Sequence, residues 1–142
     1  PYEFGDIYIE HYGNRVNHMY AARDFIDNGI LAAAGSDAPV TDHDPLLGIH
    51  VAVNRTSRSG TKVGTVQSIS VLEAIKLYTW NGAFASFDED VKGSLEAGKL
   101  ADLVVLNDSI LKVDSQNIKD LKVESTILNG EILYHRETLV EI

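Results

Sequence analysis

Asp37 is the residue whose type and position most clearly invite chemistry. It follows a short apolar run, Ile30 to Ala34, and two small residues, Gly35 and Ser36. A run of this length, bounded by Gly29 and Gly35, reads as a fully buried strand. In parallel α/β sheets and barrels, loops at the C-terminal strand ends carry catalytic groups. A carboxylate placed there binds a divalent cation or accepts a proton from an activated water. The other reading is that Asp37 caps the turn that Pro39 enforces, because Asp is common in turns.

The five histidines are the next candidates. His43 stands in the acidic loop Asp42-His43-Asp44 behind Asp37, and His50 falls on the helix that follows. Together with Arg55 they form the candidate substrate-lining set. His11, His18 and His135 read as polar surface or as satisfied core groups. No pair has the His-x-His or His-Glu-x-x-His spacing, and the chain has no Cys. The chain by itself therefore supplies no complete metal sphere, which needs three or four convergent ligands. Ser36 is not in a Gly-x-Ser-x-Gly nucleophile elbow. The stretch GSLEAGK lacks the spacing of a phosphate loop and precedes a strand instead of a helix.

The elements that must position these residues follow from the pattern. Residues 1–14 read as an irregular loop, with His11 inside it. Apolar residues at three- and four-residue spacings predict a helix from about Arg15 to Asn28, capped by Asn14 and closed by Gly29 at C′. A second helix opens at Asp44, a good N-cap, with Pro45 in its first turn. Leu46, Leu47, Ile49, His50 and Val53 form its inward stripe. Residues 57–66 read as a flexible surface loop. Ser70 to Glu73 is a capping box that opens a helix through about Thr79. Asn81-Gly82 interrupts it before one further turn. After turns at Gly93 and Gly98 a strand runs from Ala101 to Leu106. VESTILNGEILY is a hairpin about Asn129-Gly130.

The fold class is thus α/β, with an α/β segment over 1–90 and a β-rich segment over 91–142. A length of 142 residues with 44% hydrophobic content is enough for a packed core. The net charge of −9 and the scatter of the basic residues exclude a nucleic-acid backbone as partner. No apolar run is long enough to cross a membrane. With no signal peptide in view, a cytoplasmic location is the expectation.

Three segments carry a family resemblance. GILAAAGSDAPVTDHDPLLG resembles the eighth-strand segment of the amidohydrolase superfamily, and more narrowly of amidohydrolase family 3, the group that includes N-substituted formamide deformylases. LEAIKLYTWNGAFASFDED resembles the helix after the barrel. GSLEAGKLADLVVLN, with ILNGEILY, resembles strands returning to a small β-sandwich. The resemblance implies a (β/α)8 barrel plus a sandwich built from both chain ends. Residues 1–90 would be the C-terminal segment of the catalytic barrel, and 91–142 the C-terminal strands of the composite sandwich.

It further implies a hydrolase acting on C–N bonds other than peptide bonds, with one or two divalent metals, usually zinc. Asp37 takes the role of the eighth-strand Asp, which contacts the metal or its activated water and serves as base and then acid. The implied partners are a small amide-type substrate and the missing N-terminal part of the same protein. The unpaired strand edges add a homo-oligomer to that expectation. Ile9-Glu10-His11 is superficially similar to a sixth-strand motif of the family, but too few residues separate it from Ile30 for a further strand-and-helix unit. The chain has no His-x-His strand, no bridging Lys or Glu and no mid-barrel His pair. It therefore reads as a C-terminal fragment, inactive alone. Two rival readings are a catalytically silent scaffold or binding relative, and a self-contained α/β binding module.

Overall fold

The computed structural model describes residues 1–136. Its element order is α1 (Gly5–Tyr12), a 3-10 helix (Gly13–His18), α2 (Ala22–Asp27), α3 (Pro45–Asn54), a 3-10 helix (Thr65–Gln67), α4 (Val71–Tyr78), α5 (Trp80–Ala85), β1 (Leu103–Leu106), a 3-10 helix (Ser115–Asp120), β2 (Val123–Leu128) and β3 (Glu131–His135).

The N-terminal stretch is helical, where the sequence suggested a loop. Phe4, Tyr8 and Tyr12 are spaced by four, so their rings line one side of α1 in tilted contacts, with centroids 6.2 and 6.1 Å apart. His11 lies on the last turn of this helix and is exposed. Gly5 is required where α1 crosses the 57–63 segment, because a Cβ there would stand 2.7 Å from Val63 Cγ2.

The expected helix over 15–28 is broken in two. The chain turns at Met19 and Tyr20, with Tyr20 at φ 51°, before α2 begins. The carbonyls of Met19 and Tyr20 accept hydrogen bonds from the Arg55 guanidinium at 2.9 and 3.3 Å. That tertiary contact replaces the intrahelical bonds that a continuous helix would make. Asn14 sits inside the first 3-10 helix and caps nothing. Gly29 does close α2, at φ 69°.

The helices around the core form as their local signals require. Asp44 caps α3, accepting from the Leu46 amide at 2.8 Å, and Pro45 occupies the first turn. Ser70 and Glu73 make the full capping box of α4. The break before α5 falls at Thr79, so Asn81 and Gly82 lie inside α5 and do not interrupt a helix. α3 and α4 pack closely because Gly48 carries no Cβ, which would overlap the Tyr78 hydroxyl. The core joins Ile49, Ile69, Ala74 and Leu77 to Ile118, which comes from the 3-10 helix Ser115–Asp120. Segment 57–66 is not a free loop. Thr56 and Lys62 form a bridge, and Val63 is 1% exposed.

Ile30–Ala34, expected as a buried strand, has no regular secondary structure and joins no sheet among the described residues. It is pinned to the helices, with the Ala34 amide donating to Leu77 O at 3.0 Å and Asn81 Nδ2 donating to Ala32 O at 2.7 Å. The sheet is an antiparallel meander, β1-β2-β3, with Val104 opposite Thr126 and Leu128 opposite Glu131. The hairpin turns on Asn129 and Gly130 at φ 49° and 82°, the paired positive values of a two-residue turn. β1 is shorter than expected, beginning at Leu103. No described helix is long and apolar enough to cross a membrane.

Candidate active site

Asp37 follows the irregular segment 30–36, at φ 58°, with its side chain exposed. Its backbone carbonyl accepts from the Val40 amide at 2.9 Å and closes the turn. The Thr41 hydroxyl donates to Ser36 O across the same turn. Main chain and Thr41 therefore do the work of turn closure. Among the described residues the Asp37 carboxylate makes no hydrogen bond or ion pair, unlike Asp44, whose carboxylate is spent on its helix.

Asp37 lines a cavity of about 470 Å³ with Ser36, Tyr20, Tyr8, Phe4 and Arg55. Its walls are largely apolar. Tyr20 and Tyr8 face each other with hydroxyl oxygens 3.1 Å apart. The Tyr20 hydroxyl is pushed up to about 12, first by burial, then by the Tyr8 hydrogen bond and by the negative charge of ionised Tyr8 and of Asp37.

Arg55 also lines this cavity, yet its charge is turned inward. It is 2% exposed, and its guanidinium donates to four carbonyls, with Nε to Val63 O and Gly64 O at 3.0 and 3.2 Å completing the set. Burial lowers its pKa. His50 faces away from the cavity, into the contact between α3 and the 3-10 helix Ser115–Asp120. Its Nδ1 lies 3.2 Å from Ser115 O, and burial lowers its pKa. His43 is 90% exposed, 3.3 Å from Asp42, on an adjoining open depression that shares Phe4, Val40, Thr41 and Asp42 with the Asp37 cavity. His18 is exposed, and His135 Nδ1 lies 2.8 Å from Ser125 Oγ across the hairpin. The structure thus brings Asp37 and Arg55 to one cavity and leaves His43 and His50 outside its lining. Tyr8 and Tyr20 are the cavity residues that sequence reasoning missed. The spacing of Phe4, Tyr8 and Tyr12 by four is the signal that could have found the first.

No three His, Cys, Asp or Glu converge as a metal site among the described residues. Asp37 is a single carboxylate with no second candidate ligand grouped with it among the described residues.

The profile of the amidohydrolase family matches residues 3–134. The chain belongs to the amidohydrolase family. Among curated relatives, YtcJ of Bacillus subtilis (strain 168) is 36% identical over 126 residues, covering 87% of this chain and 24% of that protein. The N-substituted formamide deformylase of Arthrobacter pascens is 28% identical over 135 residues, covering 94% of this chain and 25% of that protein. The crystal structure of an amidohydrolase from Thermotoga maritima MSB8 aligns with a TM-score of 0.62 at 20% identity, over 85% of this chain and 26% of that one. At that identity the likeness speaks for the fold alone. This amidohydrolase chain therefore spans about a quarter of the length of the curated relatives it matches.

Proposed function

We propose that this chain is the C-terminal portion of a metal-dependent amidohydrolase that cleaves an amide-type C–N bond, with Asp37 as its proton shuttle. The observation that carries the reading is the state of Asp37. It is an exposed carboxylate on a cavity wall, without a partner among the described residues, directly after the apolar run Ile30–Ala34 and two small residues. A divalent metal, zinc in the first instance, would polarise the carbonyl and activate a water when bound. Its other ligands would come from the part of the protein outside this chain. Asp37 takes the proton as water adds to the carbonyl carbon. It then delivers that proton to the nitrogen as the C–N bond breaks.

The same reading accounts for the bare apolar residues. Ile30 and Leu31 are 53% and 48% exposed, although a strand of a parallel barrel is buried on both faces. Neighbouring strands of the same polypeptide would cover them and complete the barrel, and the 91–136 strands would join a composite sandwich.

The test uses the full-length protein. Asp37→Asn keeps the shape but cannot act as base at neutral pH. Hydrolysis of formanilide, a simple N-substituted formamide suggested by the name of the Arthrobacter relative, should fall by about 10²–10⁴-fold. The thermal midpoint should stay unchanged. Near-wild-type turnover would remove Asp37 from the mechanism.

A further inference from the structure

Tyr8 comes from α1 and Tyr20 from the turn before α2, yet both reach the Asp37 cavity. Their rings lie 6.2 Å apart and their hydroxyls 3.1 Å apart. In such a pair one hydroxyl donates to the other, which leaves a single O–H proton to offer outward. Either hydroxyl can be the one that donates within the pair. Both residues line the cavity, with Tyr20 54% exposed, so the remaining proton is presented there whichever ring carries it. The partial burial of the Tyr20 ring, the Tyr8 hydrogen bond and the charges of Tyr8 and Asp37 raise the Tyr20 pKa, offset in part by Arg55, which favours the protonated, donating pair.

The Asp37 charge disfavours an anion in this cavity, and a cation would go to Asp37 before it went to a phenol. An uncharged carbonyl oxygen matches an uncharged donor. Phe4, Tyr8 and Tyr20 then provide an apolar flank for a substituent on the same molecule.

The turn that presents Tyr20 is held from below. A non-glycine residue at φ 51° persists only where its surroundings fix it. Arg55 supplies that constraint, gripping the carbonyls of both Met19 and Tyr20 while its Nε is anchored on Val63 and Gly64. This gives the buried guanidinium a role that requires no contact with substrate.

We propose that Tyr8 and Tyr20 form a paired-hydroxyl donor that orients an uncharged carbonyl substrate beside Asp37, and that Arg55 is the positioning residue for Tyr20. The proposal rests on the hydrolase reading above, and two readouts keep their failures apart.

The first is steady-state hydrolysis of formanilide by the full-length protein. Tyr20→Phe, and the Tyr8→Phe/Tyr20→Phe double variant, should raise KM by roughly tenfold, as expected when a site loses a hydrogen bond to its ligand. Their kcat should fall by less than about threefold, and KM should be flat with pH from neutral to pH 9. Arg55→Lys should reproduce part of the KM rise, and adding it to Tyr20→Phe should add little, because both act through one turn. The second readout is calorimetric titration of formanilide into full-length Asp37→Asn protein, with and without Tyr20→Phe. It needs no turnover, so a wild-type protein that hydrolyses nothing sinks the hydrolase reading without deciding this one. A roughly tenfold loss of affinity on Tyr20→Phe supports the proposal. Unchanged affinity, or no formanilide binding to the Asp37→Asn protein at all, overturns it. The single variants Tyr8→Phe and Tyr20→Phe keep the test open if the double variant does not fold.

Discussion

The inner side of α3 and the Asp37 side of the molecule treat polar and apolar groups in opposite ways. On the inner side, Asn54 Oδ1 accepts from Ser115 Oγ at 2.8 Å, and Asn54 Nδ2 donates to Ser115 O at 2.7 Å. Ile118 beside them is 0% exposed. On the other side Ile30 and Leu31 stand half bare, and the Asp37 carboxylate has no partner among the described residues. Buried polar groups in a stable fold are paired, because an unpaired one costs about 1–3 kcal/mol. The inner side is complete by that measure and is structural. On the Asp37 side the carboxylate faces solvent and carries no such penalty, and under the proposed function the rest of the protein would cover Ile30 and Leu31 and use that carboxylate.

The contrast can be broken most sharply with one substitution made on both sides. Ile118→Ala should destabilise the isolated chain by about 2–5 kcal/mol, as for other buried isoleucines. Ile30→Ala should change it by less than about 0.5 kcal/mol, because the side chain is already half in water. In the full-length protein the Ile30 effect should rise toward the Ile118 value, read by urea unfolding. Equal small effects of Ile30→Ala in both proteins would show that nothing covers this side. The isolated chain should also self-associate in sedimentation, and Ile30→Asp should weaken that association.

A smaller effect lies at the start of α4. Ser70→Ala removes the capping box and should cost about 1 kcal/mol. Glu73 is held at about 2, first by the Arg23 hydrogen bonds and then by the Ser70 amide and hydroxyl. Its folded pKa lies below the ordinary 4.5, so its contribution is complete above pH 4.5 and lost as pH falls toward 2. Urea unfolding of Ser70→Ala and the parent chain between pH 6 and pH 3 measures both.

The smallest expected effect belongs to His50. Burial depresses its pKa below the ordinary 6.5, so the folded state holds the neutral ring. Its contribution is present above pH 6.5 and declines as pH falls below that value. His50→Gln should flatten stability between pH 7.5 and pH 5.5. An unchanged slope would place the titration elsewhere.

Several features of this protein were legible in the residues alone. Asp44-Pro45, the Ser70–Glu73 box, Gly29 and Asn129-Gly130 each act within a few residues of themselves, so their chemistry decides the local backbone without help. The family resemblance was also readable, since its three segments stand in sequence. Tertiary contact decided the rest. Arg55 reaches back to Met19 and Tyr20 and breaks a helix whose apolar spacing was otherwise sound. Ile118 enters the helical core from the β-rich segment, which no local pattern announces. Ile30–Ala34 has the composition of a buried strand, yet a strand exists only through hydrogen bonds to a neighbour, and the described residues provide none. Tyr8 and Tyr20 are twelve residues apart on different elements, and only the turn at Met19 and Tyr20 sets their hydroxyls together on the wall that Asp37 also lines. Local hydrogen bonding and backbone preference are written residue by residue, whereas a site is a convergence of distant segments and appears only when the chain has closed on itself.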